Sequence, residues 1–213
     1  MTTSKLQTIG IIGAGKVGVV LAQLALKAGY SVLIAGSGDP QKIALSMSVL
    51  APGAESVTTN DAVQRSDIII LALPLGKYLI LPKTLFAGKL VLDATNYWWE
   101  TDGVREDFEQ TDIASTRLIQ NYLTDAVVVK AFNHMGYHDL FDGPRAQGAV
   151  DRKAIAVAGD NDEAILKASE LVNNLGFDPV YAGTIDQSTV LQPHGRIFGT
   201  NPSKTELEAL LSK

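Results

Sequence analysis

The spacing of apolar positions changes period again and again along this chain. "TIGIIGAG" (residues 8–15) is a β-branched run that ends in glycines, and "KVGVVLAQLALKAG" (16–29) then switches to helical spacing. Val17, Leu21, Leu24 and Ala28 fall on one stripe there, and Gly29 supplies the stop. "YSVLIAGS" reads as the next strand, and Asp39-Pro40 as an N-cap followed by proline at the first helical position, opening "QKIALSMSVLA". The alternation continues through a short capped helical region, "SVTTNDAVQRSD", a fully apolar strand, "IIILALP", and another strand, "GKLVLDATN". After these come a helix in "STRLIQNYLTDA", strands in "VVVKAFNHM" and "KAIAVAGD", an amphipathic helix in "NDEAILKASELVNNLG", a last or edge strand in "FDPVYAG", and a polar-faced helix in "KTELEALLSK".

Strands that alternate with helices predict an α/β fold: a Rossmann-like, doubly wound, mostly parallel sheet with helices on both faces and right-handed crossovers. Residues 1–213 read as one NADP-binding domain of this kind, without repeats, low-complexity tracts or linkers. Two stretches break the pattern. "YWWETDGVREDFEQTD" is irregular and acidic, which predicts a surface excursion over one end of the sheet, and "DLFDGPRAQGAVD" predicts a second loop.

Composition narrows the partners. With 46% hydrophobic and 19% charged residues, the 213-residue chain has the make-up of a globular protein with a good-sized core. No apolar stretch reaches the roughly 18 residues of a membrane span. "MTTSKLQ" lacks the regions of a secretory signal, so a cytoplasmic location is expected. The chain has no cysteine, and a net charge of −5 with no basic run speaks against nucleic acid or an anionic membrane as partner, leaving a small molecule. The three histidines lack metal-ligand spacing, and "DNDEA" reads as an acidic helix start, so no metal site is expected.

The candidate chemistry lies in Gly13-Ala14-Gly15-Lys16-Val17-Gly18, a GxGxxG at a strand end that opens a helix. Gly13 permits the tight turn, Gly15 lets the backbone approach a pyrophosphate, and Gly18 lets helix and strand pack closely, while the helix N-terminus favours the anion. An NAD site usually offers an acid at the end of the second strand, but this chain has Gly36-Ser37-Gly38 there, with Lys42 a turn into the next helix. A hydroxyl, free N–H groups and a lysine suit a 2′-phosphate, so NADP(H) is the expected cofactor.

With "GIIGAGKVG", "AGSGDP", "ALPL", "LDATN", "VVKAFN", "AVAGDNDEA" and "LVNNLGFDPVYAG" in order, the chain resembles the NADPH-dependent reductases of the deazaflavin coenzyme F-420 (F420). It is also similar to the cytoplasmic part of metalloreductases that pass electrons from NADPH through flavin to haem. The resemblance implies hydride transfer between the nicotinamide C4 and a planar partner, either F420 or a flavin such as FMN or FAD, with no catalytic acid or base. It places Ala72, Leu73, Pro74, Asn96, Ala131, Phe132 and Asn133 beside the nicotinamide, His134 and Met135 at the second cofactor, and Leu191 of "LQPHGRIFG" in another wall. The segments of the first seven end parallel strands at the carboxyl edge, where open α/β sheets put ligands. It also implies a homodimer, with "TELEALLSK" or neighbouring loops at the contact. Two features depart from the family: Gly38 stands where many relatives carry arginine, and "NYWWETDG" adds Trp98 and Trp99 next to the expected site. Reduction of a small imine or carbonyl, or redox sensing without turnover, are the competing readings.

Overall fold

The computed structural model describes residues 7–105, 108 and 113–213. Eight strands form one sheet in the order β3-β2-β1-β4-β5-β6-β7-β8. They are β1 (Thr8–Ile12), β2 (Ser31–Ala35), β3 (Glu55–Ser56), β4 (Ile68–Leu71), β5 (Leu90–Asp93), β6 (Val127–Lys130), β7 (Ala154–Gly159) and β8 (Asp178–Tyr181). The first six pair in parallel, β7 runs antiparallel to β6, and β8 pairs parallel with β7. The mostly parallel, doubly wound reading of the sequence therefore stands, and the order reverses between β1 and β4.

Burial on both faces explains why the central strands are apolar throughout. In β4, Ile68 and Ile70 point into one core and Ile69 and Leu71 into the other. The first core is closed by α1 (Lys16–Lys27), by Met47 of α2 (Gln41–Leu50), and by two further helices. The second is closed by α3 (Thr59–Arg65), two 3₁₀ turns (Leu75–Ile80 and Lys83–Phe86) and a helix between β5 and β6. Among the described residues the later helices are, in chain order, α4 (Trp99–Asp102), α5 (Ser115–Tyr122), α6 (Tyr137–Asp142), α7 (Asp162–Asn174) and α8 (Lys204–Leu211). A third cluster joins β7 and β8 to a 3₁₀ turn (Asp186–Leu191) and to Leu207, Leu210 and Leu211 of α8, so the C-terminal helix spends its apolar side within its own chain.

Local chemistry sets most boundaries. The Thr58 side chain accepts from the Asp61 N–H to start α3, and Ser203 and Glu206 form a reciprocal capping box on α8. Asp39 accepts from the Gln41 N–H at 2.9 Å, so it caps as expected although α2 begins one residue beyond Pro40. Elsewhere the pattern misleads. The buried side of α1 is broader than the predicted stripe, running through Gly18, Leu21, Ala22 and Ala25, and Ala28 is exposed. β3 is a two-residue strand that no apolar alternation marks, and the β4–β5 crossover is 3₁₀, behind Pro74 and Pro82, where a helix would be usual. The strand predicted in "VVVKAFNHM" stops at Lys130, and the rest is a loop.

That stop is a buried ion pair. Lys130 Nζ donates to Asp93 Oδ2 at 3.0 Å and to the Thr95 carbonyl at 2.6 Å, with both charged side chains wholly buried. Asp93 also accepts from the Thr95 N–H and hydroxyl and from the Thr116 hydroxyl. Burial lowers the Lys130 pKa, and Asp93 opposes that shift. Removing one partner strands the other charge in a dry interior, so Lys130→Met is expected to cost about 3 kcal/mol or more in urea denaturation, and Lys130→Met with Asp93→Asn to recover part of it. A single-variant loss under about 1 kcal/mol would show that the pair does not carry the strand ends.

Candidate functional site

The loops after β1, β2 and β4 meet at the carboxyl edge, beside the point where the strand order reverses. The Gly13 N–H donates to the Ala35 carbonyl at 2.8 Å, and the Ala72 N–H to the Ile12 carbonyl at 2.8 Å. Gly13 has φ 121°, and a Cβ on it would strike the Ala72 backbone. A Cβ on Gly18 would strike the Gly13 carbonyl oxygen. These two glycines are thus required by the chain's own packing.

Gly15 differs. Its φ of −82° suits any residue, and a Cβ there would meet no protein atom within 4 Å. It caps α1 without a side-chain hydrogen bond, which leaves the first-turn N–H groups without helical acceptors at an open surface. Lys16 is exposed beside them, with Nζ 5.1 Å from the Tyr137 ring centroid, while Ala14 and Val17 are half-buried against the first core.

In the loop after β2, Ser37 and Gly38 are exposed, and so is Lys42 in the first turn of α2. Gly36 packs against Ile43, and Gly38 has φ 81°, a left-handed conformation that favours glycine. The Asp39 carboxylate is occupied with its cap. Ala72 and Leu73 are half-buried and Pro74 is exposed.

Past β5 and β6 two asparagines lock the loops together. Asn96 Nδ2 donates to the Asn133 carbonyl at 2.8 Å, and Asn133 Nδ2 donates to Asn96 Oδ1 at 3.1 Å and to the Leu191 carbonyl at 2.7 Å. Asn133 Oδ1 is buried and has no protein partner. Between these residues lies Phe132, wholly enclosed at φ 65°, a left-handed conformation that costs a β-carbon residue about 1–3 kcal/mol. Ala131 is buried as well.

His134, Met135 and Leu191 are enclosed, at 0, 3 and 0% exposure, and present no side-chain surface to the edge. Leu191 belongs to the third core, and what faces outward are its neighbours Val190, Gln192, Pro193, His194 and Arg196. They form one wall of a cavity of about 1040 Å³, whose other walls include Tyr97, Trp98, Trp99, Glu100 and Val104. Over 97–105 the expected excursion is present and pinned, while residues 106, 107 and 109–112 of that stretch lie outside the described residues. Asp102 accepts from the Gly76 N–H at 2.7 Å and from the Trp98 N–H at 3.0 Å, and Tyr97 Oη donates to the Gly103 carbonyl at 3.0 Å. Sequence reading missed Asp93, Lys130, Asp102 and Arg196. For the first two the signal was there, since "LVLD" and "VVVK" are adjacent apolar strands that each end in a charge of opposite sign.

His134 Nε2 accepts the Ala156 N–H at 3.1 Å, which puts the ring proton on Nδ1, toward the Thr200 backbone. Burial pushes its pKa down to about 4 from 6.5. The unfolded chain thus binds an extra proton between these values, so His134 supports the fold fully above pH 6.5 and ever less as pH falls to about 4. Urea denaturation of the native chain is expected to lose about 2 kcal/mol more between pH 7 and 5 than that of His134→Gln, whose amide oxygen can accept the same N–H. Parallel pH profiles would mean that His134 is not held neutral.

Comparison with known proteins comes to the same loops. Residues 8–97 match the family described as NADP oxidoreductase coenzyme F420-dependent. Over 47 residues, 22% of this chain, the sequence is 47% identical to protein YjhV of Escherichia coli K12, and the aligned segment spans only 34% of that relative's length. Among solved structures, protein SMa0349 from Sinorhizobium meliloti has a TM-score of 0.81 at 26% identity, covering 95% of this chain and 98% of that one. A protein from Arthrobacter sp. FB24 named as an F420-dependent NADP reductase has a TM-score of 0.73 at 20% identity, covering 87% of this chain and 90% of its own. An imine reductase from Myxococcus stipitatus, solved with NADP+, has a TM-score of 0.62 at 19% identity, covering 97% of this chain and 60% of its own. The last two carry a likeness of fold. The family match bears out the resemblance seen in the motifs, and the solved structures bear out the Rossmann-like α/β fold.

Proposed function

Because residues 8–97 match the family of coenzyme F420-dependent NADP oxidoreductases, we propose that this chain is an NADP(H)-dependent oxidoreductase that moves a hydride between the nicotinamide and a planar redox partner, F420 or a flavin. The observation that carries this reading is Gly15. Packing accounts for Gly13 and Gly18, but no protein atom requires a glycine at 15, and a ligand that must come close to the backbone does. The first-turn N–H groups of α1 supply the matching donors for a pyrophosphate.

The rest of the edge fits the same cofactor. Ser37 and Lys42 stand exposed where a 2′-phosphate needs a donor and a positive charge, and the one acid nearby is turned to its own helix. Asn133 Oδ1 is a buried acceptor without a partner, suited to an amide donor such as a carboxamide. When bound, NADPH supplies a hydride from its nicotinamide ring. The chain's part is to fix the ring and keep water away, which needs enclosed, rigid loops and no acid or base. Asn96, Phe132 and Asn133, braced by the Asp93–Lys130 pair, answer to that need.

Calorimetric titration tests the assignment. Gly15→Val is expected to fold normally, since its conformation and surroundings admit a side chain, yet to weaken NADPH binding by roughly 2 kcal/mol or more. Unchanged affinity in that variant would remove the pyrophosphate from this loop.

A second expectation concerns the 2′-phosphate. One or two charge-assisted hydrogen bonds give NADPH an advantage over NADH of about tenfold or more, and Ser37→Asp should reverse it. Equal affinities in the native chain, or a ratio that Ser37→Asp leaves unmoved, would refute the reading. Offering F420, FMN and FAD to the NADPH-loaded protein separates an enzyme from a sensor, because a sensor binds NADPH and does not oxidise it.

A further inference from the structure

The loop after β4 is held at two points. At Ala72 it lies against the glycine loop, where a Cβ on Gly13 would strike its backbone. At Gly76 its N–H donates to Asp102 Oδ1 at 2.7 Å. Asp102 is the last residue of α4, and its other oxygen accepts from the Trp98 N–H at 3.0 Å. One carboxylate therefore bonds the backbone of the β4 loop and the backbone of the tryptophan turn. A charged acceptor makes each of these bonds stronger than a neutral one would be.

Gly76 is fitted to this contact. Its φ is not positive, so the backbone itself does not ask for glycine. A Cβ there would stand 3.1 Å from Asp102 Oδ1, closer than side chains normally approach. Aromatic packing backs the polar link. Tyr97 packs on Phe108 with centroids 5.4 Å apart, Phe108 lies 6.3 Å from Tyr78, and Tyr78 belongs to the 3₁₀ turn that begins at Leu75. On its far side Trp98 packs edge-on against Phe198, with centroids 5.7 Å apart. The tryptophan turn is thus fastened to the segment that follows Leu73 and Pro74.

We propose that Asp102 is a positioning residue for the dinucleotide, acting through the Gly76 N–H, and that it couples occupancy of the nucleotide edge to the Trp98–Trp99 turn. The proposal rests on the NADP(H) reading and adds to it a residue that works through the protein backbone. Its logic is linkage. A cofactor that lies along Leu73 and Pro74 binds best when their loop holds one position, so it favours the arrangement in which Asp102 holds Gly76. By reciprocity the bond favours the cofactor. Without the carboxylate, the cofactor must itself order the loop, and its affinity falls by that cost.

Trp98 and Trp99 are the chain's two tryptophans, so intrinsic fluorescence reports on this turn. NADP+ is the probe for the full chain, because unlike NADPH it does not absorb tryptophan emission, and calorimetry on the same samples gives its affinity. Saturating the native chain with NADP+ is expected to shift the emission. Asp102→Ala should bind NADP+ about tenfold more weakly and lose most of the shift at saturation, whereas Asp102→Asn, whose amide oxygen can still accept the Gly76 N–H, should stay within about threefold of native affinity. Gly76→Ala crowds the same bond from the other side, so it should weaken binding too, and adding it to Asp102→Ala should cost nothing further. Unchanged affinity in Asp102→Ala, additive losses in the double variant, no emission shift in a native chain that binds NADP+, or a shift that survives in full without the carboxylate would each overturn the coupling and leave the nucleotide reading intact. A native chain that fails to bind NADP+ would instead overturn the nucleotide reading, and this proposal with it.

Discussion

The Asp93–Lys130 pair is the constraint on which the site depends. It joins the carboxyl ends of two adjacent strands, and the loops that follow those ends carry Asn96 and Asn133. A buried ion pair adds little net stability when compared with well-packed apolar residues. What it gives is position. Each charge is acceptable only where the other stands, and Thr95 and Thr116 complete the shell around the carboxylate. The two loops therefore cannot shift independently without exposing one ion to a dry interior.

The glycine loop shows a second division of labour. Gly13 and Gly18 answer to contacts with the Ala72 backbone and with each other, and would be needed even if nothing were ever bound. Gly15 answers to nothing in the protein. A single motif thus holds two glycines that the fold requires and one that it does not, and only the packing around each tells them apart.

Much of the architecture could be read from the sequence because period and punctuation are strong in its first half. β1, α1 and β2 follow from "TIGII", "VVLAQLAL" and "SVLIA", and Thr58 and Asp39 cap where short polar side chains before helices are expected to. What stayed hidden depends on contacts distant in sequence. The reversal of β7 against β6 leaves no local mark, because its "AIAVAG" is as apolar as any parallel strand. In the segment after β8, Leu191 faces the third core while its neighbours line the cavity, and a one-residue choice between neighbours in a 3₁₀ turn is decided by tertiary packing. The pairing of Trp98 with Phe198, a hundred residues apart, is of the same kind.

The left-handed turn at Phe132 links two properties that are usually separate. A glycine would adopt that backbone freely, but it would give up the ring that fills the core beneath the sheet edge. The ring's burial holds the turn in its unfavourable conformation, and the turn in turn sets where Asn133 stands. Hydrophobic anchorage and polar alignment are here one degree of freedom: the amide cannot leave its place without the ring leaving the interior, so the cost of disorder at the site is the cost of exposing a phenyl group to water.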